Sequence, residues 1–315
     1  MKALVTRKRQ DGKREKVLLD NWPDPPPLAA NQFKTQTLFS GVTNGTERND
    51  LLGGNYAHKD EDLPATWGYQ NVGRVIETGP DVKEIKIGDV IYSSADHVEF
   101  AVIPENWLYI KLPPEIDPKE AALFGMASVA MRTCRNADLR LGERVLVVGA
   151  GIIGQIAAQI ANAMGASVTI CDVDERRLDL ARRIGAAECV FNSNGTGWDD
   201  HIQDFSFDAI LDLAGVVGME DRLIAAAKTR GRIMLIAGRN DVKYTFNLGQ
   251  IHEITIKQNS HFDNSDLANL CRLVRRGQVR IALLIQDVLP VTEAQRLYDQ
   301  LRDTPAELLG TVFVW

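Results

Sequence analysis

Residues 144–172 read "RVLVVGAGIIGQIAAQIANAMGASVTICD". The apolar run Val145–Val148 leads into Gly149-Ala150-Gly151-Ile152-Ile153-Gly154. A helical pattern follows over Gln155–Met164, and a second apolar run ends at Cys171 and Asp172. Strand, glycine turn, helix, strand and terminal acid form the fingerprint of a dinucleotide-binding βαβ unit. Each part has a physical task. Gly149 permits the tight turn, and Gly151 lets backbone approach a pyrophosphate. Gly154 brings helix and strand together, so the first N–H groups of the helix, carried past Ile152 and Ile153, face phosphate oxygens. Asp172 can accept hydrogen bonds from ribose hydroxyls and would repel a 2′-phosphate, which favours NAD(H) over NADP(H). Arg176 and Arg177 beside it partly offset that repulsion. The alternatives are a related domain for another nucleotide, or an empty turn.

Working outward, the alternation continues. "LARRIGAAECVF", "FDAILDLAG", the amphipathic "MEDRLIAAAKTR" and "GRIMLIAG" extend a pattern of helices and nearly uniformly apolar strands. Such strands belong to a parallel sheet covered on both faces. Upstream, residues 1 to about 115 have another texture: short alternating runs broken by Pro and Gly, as in "FKTQTLFSGV" and "NVGRVIETGPDVKEIKIGDVIYS". These read as half-buried antiparallel strands of a barrel or sandwich. Gly79-Pro80-Asp81 is expected to turn the chain, with Ile85 and Ile87 sharing an inward face. Asp117 and Pro118 suit the N-cap and first position of a helix. The fold class is therefore α/β, with a β-rich domain over 1–126 and a doubly wound Rossmann domain over 127–258. The tail 259–315 is expected to return to the first domain.

The bulk properties exclude several classes. The chain has 315 residues, 45% hydrophobic and 25% charged, with a net charge of −6. That balance suits a globular protein and argues against nucleic acid, which needs a basic footprint. Cysteines 134, 171, 189 and 271 show no C-x-x-C spacing, so neither a disulfide framework nor a zinc knuckle is expected. The N-terminus lacks the apolar core of a secretory signal, and no run is long enough to span a bilayer. A cytoplasmic location without membrane partners is the expectation.

The order of domains, with "SGVTNGTE" (40–47), "GYQNVGRVIETG" (68–79), "IKIGDVI" (85–91), "VEFAVIP" (98–104), "LRLGERVLVVGAGIIG" (139–154) and "LARRIGA" (180–186), resembles the medium-chain dehydrogenase/reductase superfamily along essentially the whole chain. The resemblance implies a GroES-like catalytic domain plus a Rossmann domain, a small alcohol or ketone substrate held with the nicotinamide in the cleft between them, and commonly a homodimer. It also places cofactor contacts at Ser128, Gly149, Gly151, Ile152, Ile153, Gly154, Asp172, Arg177, Ala214, Gly215, Ala237 and Gly238.

Carried over residue by residue, the family's catalytic zinc finds no ligands. Its first cysteine falls at Asn44 in "SGVTNGTERND". The Gly-His-Glu of the second ligand reads Gly68-Tyr69-Gln70, and the third ligand falls at Phe124 or Gly125. The four-cysteine lobe for structural zinc is missing too. No metal is expected, so another group must handle the hydroxyl proton. Tyr69 stands in the lost histidine's place with a phenol that can give or take the proton if its pKa is lowered, and Thr46 matches the family's proton-passing hydroxyl. His97 is a third catalytic candidate through its near-neutral pKa. Asn44, Glu47 and Gln70 are expected to orient a polyhydroxy substrate, and Arg132 to hold an acidic group. The competing readings are structural: Tyr69 as a packed aromatic, Thr46 as a turn stabiliser, His97 as a partly exposed structural histidine, Glu47 as an arginine's partner, Arg132 as a helix cap or phosphate contact. The motif set is partly similar to a zinc-free branch with bacteriochlorophyllide hydroxyethyl dehydrogenases and sugar-type oxidoreductases. It implies zinc-independent, NAD(H)-linked interconversion of a secondary alcohol and its ketone. An NADPH-using quinone or enoyl reductase and a non-catalytic nucleotide sensor are the other two readings.

Overall fold

The structure, a computed structural model, describes residues 1–315 and divides into two compact units: Met1–Met126 with Ile281–Trp315, and Ala127–Arg280. In the second unit a six-stranded sheet runs in the order Cys189–Asn192, Ser167–Asp172, Arg144–Val148, Phe207–Asp212, Ala227–Leu235, Thr255–Gln258. Every pairing is parallel, and in chain order the sequence is 3-2-1-4-5-6, the doubly wound arrangement. Leu146, Val147, Ile170, Ile210 and Leu211 are fully buried, as strands covered on both faces require. The expected helix "MEDRLIAAAKTR" is shorter than its pattern. It spans Glu220–Ala226, and the chain enters the next strand at Ala227. Lys228 is drawn into that strand by Asp208 of the neighbouring strand, 2.8 Å away.

The first unit holds a three-stranded sheet, Arg14–Leu19, Ala3–Lys8, Ala65–Thr66, and a seven-stranded one. The latter runs Ile285–Pro290, Gly310–Val314, Gln32–Gly41, Asn71–Thr78, Val90–Ser93, Tyr109–Lys111, with Phe100–Pro104 also on Gln32–Gly41. All its pairings are antiparallel except Ile285–Pro290 with Gly310–Val314. Two apolar clusters fill the unit. One contains Phe33, Val75, Ile91 and Ile103. The other packs helix Ala294–Asp303, through Leu297, Tyr298 and Leu301, against Leu4, Val42, Leu51 and Phe313.

Two expectations are corrected. Ile85 is buried but Ile87 is 68% exposed. No strand forms over 79–89, so the two-residue period that would align them does not apply. The return to the first unit begins at Ile281 rather than at 259. Residues 259–280 stay with the second unit because helix Asn264–Arg275 is tied there: Asp263 and Asp266 form its capping box and bind Arg132 and Arg135. Arg280 also donates its N–H to Gln159 Oε1 at 2.8 Å. Asp117 caps the short helix Pro118–Ala121 by accepting the Lys119 N–H. The helical run is then interrupted and resumes as Phe124–Asn136.

Candidate active site

In the second unit, the glycine turn is shaped by backbone contacts. Gly149 has φ +102°. A Cβ on Gly154 would lie 1.8 Å from the Gly149 carbonyl oxygen, whereas one on Gly151 would meet nothing within 4 Å. Gly154 is thus a packing glycine, and Gly151 keeps space open at the start of helix Ile152–Ala163, which has no side-chain cap. An uncapped helix start beside open space is an anion site, so the turn fits a dinucleotide pyrophosphate. Asp172 ends its strand with Oδ2 accepting the Ala150 N–H at 2.7 Å and Oδ1 accepting those of Val173 and Asp174 at 2.7 and 2.9 Å. Arg177 stands 3.8 Å from it. Ser128 is fully buried with its hydroxyl unpartnered.

The ends of the next two strands are joined by groups that the sequence reading overlooked. Asp212 accepts the N–H groups of Ala214 and Gly215 at 3.3 and 3.0 Å. Arg239 donates to Asp212 at 2.6 Å and to Glu220 at 3.3 Å, all three side chains being almost solvent-free. Ala237, whose Cβ lies against Gly215 (φ +68°), accepts from Arg239 Nε. Gly238 sits between them. An acid ending "FDAILD", as Asp172 ends its own strand, was the available signal.

In the first unit, helix Asn44–Leu51 presents Thr46, and the Tyr69 phenol is hydrogen-bonded to Thr46 and Thr43. Burial pushes the Tyr69 hydroxyl up to about 12; those hydrogen bonds pull it down, while Glu47 and Tyr56 add smaller upward pushes. Beneath lies Glu47, 1% exposed. Its Oε2 takes Lys16 Nζ at 2.7 Å and the Tyr298 hydroxyl. Its Oε1 takes the Thr43 N–H at 2.7 Å and stands 3.1 Å from His97 Nε2. Burial would raise this carboxyl, but the charges and hydrogen bonds of Lys16 and His97 outweigh it and hold it well below the usual range.

Residues 153–276 match the family described as zinc-binding dehydrogenase. D-Guloside 3-dehydrogenase of Escherichia coli is 30% identical over 268 residues, which cover 76% of this chain and 74% of that protein. L-Threonine 3-dehydrogenase of Yersinia enterocolitica is 29% identical over 272 residues, 75% of this chain and 77% of that one. The chain belongs to the medium-chain dehydrogenase/reductase superfamily. It is an oxidoreductase of the alcohol dehydrogenase type, whose chemistry is alcohol–ketone interconversion. The crystal structure of 2R,3R-butanediol dehydrogenase from Bacillus subtilis has the same fold, with TM-score 0.83 at 17% identity and full coverage of both chains.

As a member of this superfamily, the chain can be tested for the group's zinc on its donor set. Asn44, at the first ligand position, commits its Nδ2 to the carbonyls of Leu308 and Leu309 at 3.2 and 3.0 Å. Tyr69, at the second, carries a phenol that stays protonated at neutral pH, and Phe124 and Gly125, at the third, have no ligand atom. No three His, Cys, Asp or Glu side chains converge anywhere in the chain. The residues present do not fit a tetrahedral zinc site.

Several expected site residues are occupied otherwise. His97 is fully buried with Nε2 on Glu47. Glu47 is engaged by four groups, and its partner is a lysine, not an arginine. Gln70 donates to the Gly41 carbonyl and Thr43 Oγ1 and accepts the Met126 N–H, leaving no free atom for a ligand. Arg132 is held by Asp263 at 2.8 Å. Each of these polar side chains has at least one partner within the fold. Thr46 and Tyr69 remain together. Lys16 and Tyr298 went unnoticed, although Lys16 shares a strand face with Arg14 and Leu18 and was placed by that alternation. All four thiols are free, and no helix is long and apolar enough to cross a membrane.

Proposed function

We propose that this protein is a zinc-independent, NAD(H)-dependent oxidoreductase that interconverts a secondary alcohol, a polyol or sugar derivative, with its ketone. The observation that carries this reading is the Thr43–Thr46–Tyr69 hydroxyl cluster, occupying ground where the superfamily otherwise holds a metal. A bound nicotinamide supplies the hydride acceptor or donor. The chain's own residues manage the proton. In ketone reduction Tyr69, protonated throughout the neutral range, gives its proton to the carbonyl oxygen as hydride reaches carbon, and its phenolate is reprotonated from solvent through Thr46. Alcohol oxidation runs the same path in reverse, the hydroxyl proton leaving through the phenolate and Thr46. Asp172 favours the unphosphorylated ribose of NAD(H). The polyhydroxy substrate class is supported by relatives named D-guloside 3-dehydrogenase and D-xylulose reductase.

Purified protein should be given NAD⁺ or NADP⁺ with a panel of polyols and glycosides, the reduced cofactor being followed by absorbance after exhaustive chelation. Turnover with NAD⁺, undiminished by chelation, is expected. Silence with every alcohol and with the matching ketones would end this reading, and activity restored only by zinc would end its metal-free part. We propose further that the cytoplasm is its compartment and a homodimer its assembly.

A further inference from the structure

The N-terminal hairpin and helix Asn44–Leu51 meet through two matched charge pairs. Arg14 and Lys16, two residues apart, project from one face of strand Arg14–Leu19. Glu47 and Asp50, three apart, project from one face of the helix. Lys16 Nζ binds Glu47 Oε2 at 2.7 Å, and Arg14 Nη1 binds the Asp50 carbonyl and Oδ1 at 3.0 and 3.3 Å. Thr6 adds a 2.7 Å hydrogen bond to Asp50 Oδ2. The Lys16 and Glu47 side chains are 1% and 0% exposed. The ammonium lies 4.8 Å above the Tyr298 ring and donates to the Trp67 carbonyl at 3.3 Å. A buried ammonium with so complete a shell does more than fill space, because a charge in the interior is tolerated only when compensated.

We propose that Lys16 is a positioning residue for the reaction read above, on which this inference rests. By cancelling the charge of Glu47 it fixes the helix that carries Thr46 and shields the Tyr69 hydroxyl from an uncompensated carboxylate. The groups facing Glu47 account for the local charge: Lys16 from the hairpin, His97 from the loop before strand Phe100–Pro104, and Tyr298 from helix Ala294–Asp303. The Tyr69 hydroxyl feels the charge of Glu47 and that of Tyr56. Asp50 sits one turn along with its own partners, Arg14 and His58. Among these, Lys16 is the cation whose loss leaves Glu47 without a permanent countercharge. A negative charge left beside Tyr69 disfavours anionic oxygen at the reacting centre and pushes any proton release there to higher pH.

The test compares wild type, Lys16→Met and the double variant Lys16→Met/Glu47→Gln in the full-length protein, Glu47→Gln serving to assign the Glu47 infrared band. Methionine keeps the apolar stem and removes the charge. On acid titration Lys16→Met should show a protonated-carboxyl stretch at a pH where wild type and the double variant lack it; at the assay pH, above that titration, Glu47 is ionised and uncompensated. With the alcohol turned over in the panel above, its kcat should fall about tenfold or more while KM changes little, and the acid limb of kcat against pH should move up by about one unit. The double variant should regain most of that loss. No new carboxyl band in Lys16→Met, or a double variant no better than the single one, overturns the proposal. Should Lys16→Met fail to fold, folding restored in the double variant supports charge pairing, and a double variant equally unfolded overturns it. If wild type turns over no alcohol, the functional reading falls, while the infrared band still decides whether Lys16 holds Glu47 ionised.

Discussion

The turn at 149–154 is held by backbone: one glycine in a positive-φ conformation, one without room for a Cβ, one leaving space, all within six residues. The cluster around Glu47 is held by side chains from residues 16, 97 and 298 and by the backbone N–H of residue 43. One site is a local shape that many sequences could surround. The other is a set of distant partners that make sense only together. A locally built site should fail by steric or ligand-space changes confined to it, and a distributed site by loss of charge balance.

The latch of the second unit tests whether distributed ion pairs also matter beside the backbone-built site. Arg239→Leu leaves Asp212 and Glu220 buried without their cation and should cost about 3–5 kcal/mol by urea denaturation; a loss under about 1 kcal/mol would show the latch to be incidental. Next comes Tyr69→Phe, which removes the phenol but keeps the ring. It should lower kcat about a hundredfold with KM nearly constant, and unchanged turnover would remove Tyr69 from the chemistry.

The same residue predicts an alkaline signature. Because the folded Tyr69 hydroxyl sits at about 12 instead of the ordinary 10.0, its contribution is intact below pH 10 and lost as pH rises through 12. That loss amounts to about 3 kcal/mol. The stability slope over that interval should therefore be shallower in Tyr69→Phe, and identical slopes would contradict the burial.

Two glycines sharpen the contrast at smaller cost. Gly154→Ala forces a Cβ onto the Gly149 carbonyl and should destabilise by about 1–3 kcal/mol. Gly151→Ala meets nothing and should leave stability within about 0.5 kcal/mol while weakening NADH binding in a fluorescence titration. If both lose stability equally, the division between a packing and a ligand-space glycine is wrong. Smallest of all, Asp172→Asn should narrow the preference for NADH over NADPH by about tenfold, the worth of one lost charge interaction.

The legibility of the two sites follows the same division. The parallel sheet, the turn and the acid at Asp172 could be read because period, glycine placement and a strand-ending acid are local features. The helix ending at Ala226 and the outward Ile87 were misjudged where apolar spacing outran the element that carried it. Asn44, Tyr69 and Thr46 could be aligned by position, yet position says nothing of what else reaches them. Gln70, Glu47 and His97 looked like ligands for a substrate because their partners, Met126, Lys16 and one another, lie tens of residues away. Arg132 was misread for the same reason, its acids being at 263 and 266.

The tyrosine that completes the Glu47 shell comes from residue 298. During synthesis, the helix bearing Thr46 leaves the ribosome some 250 residues before that hydroxyl exists. The first-made part of this unit must therefore wait, its acid only partly answered, until residue 298 has emerged, so a nascent chain stopped short of that point should be open to proteases around Glu47.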